Sequence, residues 1–286
     1  MNSAVWGVFS ALGWGSADFI ARFTGRKLGT DVASFGMMLV GATVLTACVL
    51  AVGLPPAGPP IAWIGVVVSG AAIVTGTLLL YAGLARGPVS VVAPIAGAYP
   101  IVNVTVSLLR GARPGLLQYA AMAAVLLGVA IVAQSAGSFQ RPGSLRRADV
   151  RRSVALALAA GVAIAVGVGA AQEVSPVFGQ LQTVWSGRIA SVLILVALFA
   201  ARRRAPHVPR ASWPIVGLQG ILDSGAYVTL LLGGSGPGSE IAVVVGSCFS
   251  VVTVVLARIL LREQMNLLQW TGVAAIVVGV GTLAAP

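Results

Sequence analysis

Asp223, Asp18, Gln172 and Arg188 are ionisable or amide side chains inside or at the edges of apolar runs, where a charge would be expensive. The first is Asp223, mid-way along Ile221-Leu-Asp-Ser-Gly-Ala-Tyr-Val-Thr229. An acid surrounded by hydrocarbon costs several kcal/mol unless it is paired or hydrated, so by default it points to function. Asp223 could hold a cationic or ammonium group, exchange a proton as coupling ion, or close as a structural acid on Ser224 or a neighbouring helix. Asp18 precedes Arg22 by four residues, the spacing of an ordinary ion pair on one helix face. Trp14 and Ser16 beside it suggest a cavity wall instead. Gln172 occupies the matching end of a later run, next to Glu173, which reads as interfacial. Arg188 lies five residues into a further run. Its long stem lets it snorkel to the interface; the alternative is a pair with a buried acid or a substrate carboxylate. Asp223 and Arg188 on one cavity would suit a zwitterionic amino acid.

Aromatic residues lie near the same positions. Tyr99 stands between Pro94 and Pro100, and prolines inside an apolar helix free carbonyls that need neighbours or water. A kinked, cavity-facing segment with Tyr99 inward follows. Trp14, Tyr81 and Tyr227 could line a solute path, although an aromatic near a span end also fits the interfacial belt, the reading favoured for Tyr81. The residues for other chemistry are missing. The one histidine, His207, lies in the polar stretch Arg202–Arg210, and no zinc-binding or paired-acid motif accompanies it. Cys48 and Cys248 both fall in apolar runs and read as small hydrophobes. No glycine-rich phosphate loop occurs, and the only lysine, Lys27, is in a polar connection. Neither catalytic set, metal site nor cofactor is expected.

The elements that must position these residues are long and apolar. Of 286 residues 58% are hydrophobic and 9% charged, with a mean hydropathy of +0.98. A soluble domain carries about 25% charged residues. Ten runs of membrane-spanning length emerge: 4–23, 33–54, 61–84, 88–109, 116–135, 153–172, 183–201, 213–233, 239–261 and 268–285. Met1-Asn2-Ser3 lacks the basic start of a signal peptide, so residues 4–23 read as the first span. The spans are helices, because a lipid-exposed backbone must satisfy itself and no period-two alternation suggests a barrel. The net charge of +11 reflects arginines gathered in connections, which orient membrane proteins, and does not call for nucleic acid.

The chain repeats itself. Shifted by 151 positions, Ser107-Leu-Leu-Arg-Gly-Ala-Arg-Pro-Gly-Leu-Leu-Gln-Tyr119 overlays Arg258-Ile-Leu-Leu-Arg-Glu-Gln-Met-Asn-Leu-Leu-Gln-Trp270, pairing Leu116 with Leu267 and Gln118 with Gln269. Gly13-Trp14-Gly15-Ser16-Ala17-Asp18 echoes Gly167-Val168-Gly169-Ala170-Ala171-Gln172. The expected units are residues 1–136 and 153–286, each of five spans, joined by a basic linker over 137–152. An odd-numbered unit places its successor upside down in the membrane. Charge agrees: fifteen of the 18 basic residues fall in or at the edges of connections after odd-numbered spans, against Arg110 and Arg113 on the other side and Arg188 within a span. The arginine-rich side is expected in the cytoplasm, with both termini outside.

These stretches resemble a known family. "GPVSVVAPIAGAYPIVNVTVSLL" (87–109) with "RGARPGLLQYAAMAAVLLGVAIV" (110–132), and again residues 236–283, are similar to the EamA-type repeat of the drug/metabolite transporter superfamily. "GWGSADF" (13–19) resembles the opening of its first helix. The family's Gly-Glu-Arg turn survives in part: Arg262-Glu263-Gln264 keeps the acid, and Gly111-Ala112-Arg113 keeps the Gly and Arg. Glu263 and Arg113 are therefore expected in structural turns. The resemblance implies a multi-pass protein of the plasma (inner) membrane that moves small metabolites, amino acids or drugs by alternating access, as an exporter with protons as possible partners, and as monomer or homodimer among membrane lipids. A lipid or lipid-linked-sugar carrier of the same architecture would want a basic headgroup patch, which Arg22, Arg26 and Arg86 could supply. A non-transporting scaffold is the other alternative.

Overall fold

The computed structural model describes residues 3–109, 115–135, 147–234, 242, 245–246, 248–263 and 265–283. Among them are eleven α-helices and no strand: α1 (Ser3–Leu28), α2 (Thr30–Val52), α3 (Pro60–Arg86), α4 (Val89–Gly97), α5 (Pro100–Leu109), α6 (Leu116–Ser135), α7 (Arg147–Phe178), α8 (Gln180–Ala201), α9 (Trp213–Gly233), α10 (Phe249–Leu260) and α11 (Leu267–Leu283). Five of these, α2, α3, α7, α8 and α9, are long and apolar enough to cross a membrane, and the α4–α5 stretch, α6, α10 and α11 are shorter apolar helices. With α4 and α5 taken as two pieces of one span, ten helices remain. Their outward faces are apolar: Leu50, Ile61, Leu126 and Leu193 are each at least 60% exposed, as a lipid-facing surface requires.

The fourth span is broken where its prolines lie. Helix α4 stops at Gly97 and α5 starts at Pro100, whose missing N–H cannot continue the ladder. The break leaves Ala98 and Tyr99 buried between the pieces. The ninth span is interrupted at the corresponding place: Cys248 is a turn before α10. The two breaks meet, since a Cβ on Gly97 would stand 2.8 Å from that of Ser250.

Helices α1 and α7 extend beyond their apolar runs. Helix α1 continues to Leu28 and α7 begins at Arg147, so Arg147, Arg151 and Arg152 ride on a helix and not in a linker. Hydropathy marks only the hydrocarbon-embedded part, whereas backbone hydrogen bonding continues into the interface; Asp149 in the first turn of α7 also suits that positive helix end. The rest of the expected linker, together with Arg110, Arg113 and Glu240, lies outside the described residues.

Packing joins antiparallel helices through small residues. Along α3 and α7, Gly65 meets Val174, Gly76 meets Ile164, and Ser69 Oγ donates to the Gly167 carbonyl at 2.8 Å. Helices α1 and α9 approach the same way, with Thr24 near Gln219, Gly13 against Leu222 and Ala226, and Trp6 against Gly233. Phe35 meets Phe199 edge to face and Trp185 Nε1 donates to Thr46 Oγ1 at 2.8 Å, which sets α2 antiparallel to α8. Gly128 and Gly279 let α6 and α11 lie close. At the α1–α2 and α7–α8 junctions the chain reverses on Gly29 and Gly179, with φ of 86° and 89°, values that a side chain resists.

Candidate functional site

A cavity lies where α1, α3, α7, α8, α9 and α10 converge beside the break at Tyr99. Helix α1 contributes Trp14 and Asp18; α3 contributes Ile73, Thr77, Leu80 and Tyr81; α7 contributes Ile164 and Val168. Arg188 of α8, Asp223 and Tyr227 of α9 and Phe249 of α10 close the other side. As it stands the cavity has a free volume of about 50 Å³, room for a few water molecules.

Arg188 does not snorkel. Its side chain is 3% exposed and forms an ion pair with Asp223 through Nη2 and Oδ2, while its guanidinium lies 5.9 Å from the centre of the Tyr227 ring. The reason is geometry: α8 packs beside α9, and Asp223 offers a buried countercharge nearer than the interface. The pair is incompletely matched, because Nε and Nη1 of Arg188 are buried without a hydrogen-bond partner. Trp14 stands against the same carboxylate and packs with Tyr227 and Phe249, both at a centroid distance of 5.8 Å. Three aromatic rings therefore back the charged groups.

Asp18 is different. The expected pair with Arg22 does not form, because Arg22 Nη1 donates to the Gly87 carbonyl at 2.7 Å and lies 3.5 Å from Glu263 Oε1. Asp18 is 6% exposed and lines the cavity. Among the described residues no cation and no hydrogen-bond donor contacts it. Its carboxyl and that of Asp223 line one cavity whose arginine, Arg188, pairs with Asp223, so the lining carries an excess of one formal negative charge.

Of the other expected residues, Tyr99 and Tyr227 are buried at the cavity, and Gln172 is exposed on α7, with Val168 one turn earlier taking the cavity position. Tyr81, assigned to the interfacial belt, is instead buried: Gln219 Nε2 donates to its hydroxyl at 2.7 Å, and Thr24 Oγ1 donates to Gln219 Oε1 at 2.9 Å. The antiparallel fit of α1 and α9 turns that end of α3 inward. Gln219, fully buried, carries a signal that composition alone offers, an amide in an apolar span; Thr77 and Phe249 carry none. Glu263 occupies its turn and does more there. Its two carboxylate oxygens accept the backbone N–H groups of Val89 and Ser90 at 3.2 and 3.1 Å, capping α4 from the other half of the chain.

A model of the EamA-like transporter family matches residues 1–134 and again 151–284. The chain belongs to the EamA-like transporter family. It is a multi-pass membrane protein of the drug/metabolite transporter superfamily, whose members are generally transporters. A solved crystal structure shares the fold with a TM-score of 0.69 at 17% identity, over 98% of this chain and 95% of the other. No curated protein matches the chain in sequence.

Proposed function

We propose that this EamA-like protein is a secondary active transporter that exports a small amine-bearing metabolite, amino acid or drug from the cytoplasm across the plasma membrane in exchange for protons. Two inverted five-span repeats, residues 1–136 and 153–286, would rock about the cavity to open it to either side in turn. The antiparallel crossings of α1 with α9 and α3 with α7, and of α2 with α8, support this reading, since exchanging the halves turns the α1–α9 crossing into the α3–α7 crossing and returns the α2–α8 crossing to itself. The small free volume fits a closed conformation that must widen to admit solute.

The observation that carries the reading is Asp18. A buried carboxyl with no countercharge among the described residues, facing a cavity, calls for either a proton or a cation from outside. Aromatic rings beside it add cation–π attraction for an ammonium group. Asp223 and Arg188 neutralise one another and would orient a carboxylate or hydroxyl of the solute. A scaffold has no use for Asp18, and a phosphate headgroup would be repelled by a cavity with two acids and one arginine, so the small-solute reading is favoured over a lipid carrier. The test is solute release from cells overproducing the protein, compared with cells producing the Asp18→Asn variant at equal abundance. An amine released by the first and retained by the second is the expected result; identical profiles would overturn the assignment.

A further inference from the structure

Away from the central cavity a larger cleft opens at the arginine-rich ends of α1, α3 and α8, around the start of α2, with a free volume of about 520 Å³. Three arginines from three elements line it: Arg26, Arg86 and Arg202. Two are braced at one nitrogen, Arg26 Nε on the Ala85 carbonyl at 2.8 Å and Arg86 Nη1 on the Ala82 carbonyl at 3.0 Å. Their remaining N–H groups have no partner among the described residues. Arg202 Nη1 meets Asp31 Oδ2 at 3.3 Å, but with side chains 52% and 30% exposed this pair is weak and can yield. The cleft is therefore positive by two formal charges. The first turn of α2, entered through Gly29, borders the cleft, and its Val32 N–H is taken by Asp31 Oδ1 at 3.0 Å.

The floor separates two sources of anion. Leu78 lies eight residues before Arg86 on α3, about 12 Å deeper into the membrane, and Leu198 lies one turn before Arg202, about 6 Å deeper. A soluble phosphate has no use for an apolar floor of that depth, whereas a phospholipid has a phosphate at the level of the arginines and a chain below it. The cleft shares no lining residue with the central cavity.

We propose that this cleft is a binding site for the phosphate headgroup of an anionic phospholipid, held by Arg26, Arg86 and Arg202 with its acyl chain along Leu78 and Leu198. The assignment does not depend on which solute the protein carries. Native mass spectrometry of the purified full chain tests it with phosphatidylglycerol, phosphatidylcholine and inorganic phosphate as probes. Phosphatidylglycerol should bind saturably and phosphatidylcholine should not. Each arginine near an anionic headgroup is worth about fivefold, so the triple variant R26Q/R86Q/R202Q should lose affinity by on the order of a hundredfold. The charge-conserving R26K/R86K/R202K should retain most of it, and R151Q/R152Q, on the exposed start of α7, should behave as the wild type. Circular dichroism and a monodisperse elution profile show whether each variant is folded. Unchanged phosphatidylglycerol binding in the glutamine variant, or equal binding of phosphatidylcholine, would overturn the proposal. Displacement of the lipid by millimolar inorganic phosphate would reassign the cleft to a soluble anion.

Discussion

The Arg188–Asp223 pair makes the sharpest energetic prediction, because its two members are buried unequally. Removing Asp223 by substitution with Asn leaves a guanidinium that is 3% exposed, already lacks partners at Nε and Nη1, and now loses its countercharge at Nη2. Breaking a buried pair from that side should cost about 3 kcal/mol, the lower end of the range for an uncompensated buried charge. Replacing Arg188 with Met leaves a carboxyl that is 15% exposed at the cavity wall, where water or a proton can reach it, so the cost should be about 1–2 kcal/mol. The double variant has neither charge and should be less destabilised than Asp223→Asn alone. The coupling energy in the cycle should therefore reach about 2 kcal/mol. Reversible unfolding of the purified protein in mixed detergent micelles, followed by circular dichroism, measures all four proteins. Effects that add within about 0.5 kcal/mol would refute the claim that these side chains form one buried unit.

Four further outcomes follow from the same geometry. Asp18→Asn should abolish solute transport in reconstituted vesicles while changing unfolding stability by no more than about 0.5 kcal/mol, since the carboxyl has no partner to lose among the described residues. Glu263→Gln, which weakens the cap on Val89 and Ser90 and removes the Arg22 contact, should lower stability by about 1–2 kcal/mol in the same unfolding assay. Gly13→Ala would place a Cβ 2.8 Å from the Leu222 carbonyl and from the Ala226 side chain, and should cost about 1–3 kcal/mol. Gly217→Ala, with nothing within 4 Å, should be neutral in a parallel measurement.

The membrane class, the ten spans and the break at Tyr99 were legible because each rests on a local property: hydropathy over about 20 residues, or a proline lacking its donor. The site was legible only by residue type. Asp223, Asp18, Arg188, Trp14, Tyr99 and Tyr227 all reach the cavity, because polar and aromatic groups in apolar spans have few other places to go. Their partners were not legible. The i,i+4 spacing of Asp18 and Arg22 suggested a pair that the Gly87 carbonyl and Glu263 prevent, and both of those arrive from elsewhere in the chain. Tyr81 and Gln172 were misplaced for a related reason. Which face of a helix turns inward depends on its neighbours, and periodicity is faint where every face is apolar.

The central claim is that two halves of opposite orientation enclose the cavity, and the repeated turns before α6 and α11 test it most directly. Gly115 and Asn266 are counterparts 151 positions apart, and both are exposed. Single cysteines at these positions, in a background with Cys48 and Cys248 replaced by Ala, can be probed in intact cells with a membrane-impermeant maleimide. The account predicts labelling of Gly115→Cys from outside and of Asn266→Cys only after permeabilisation. Labelling of both from the same side would contradict it.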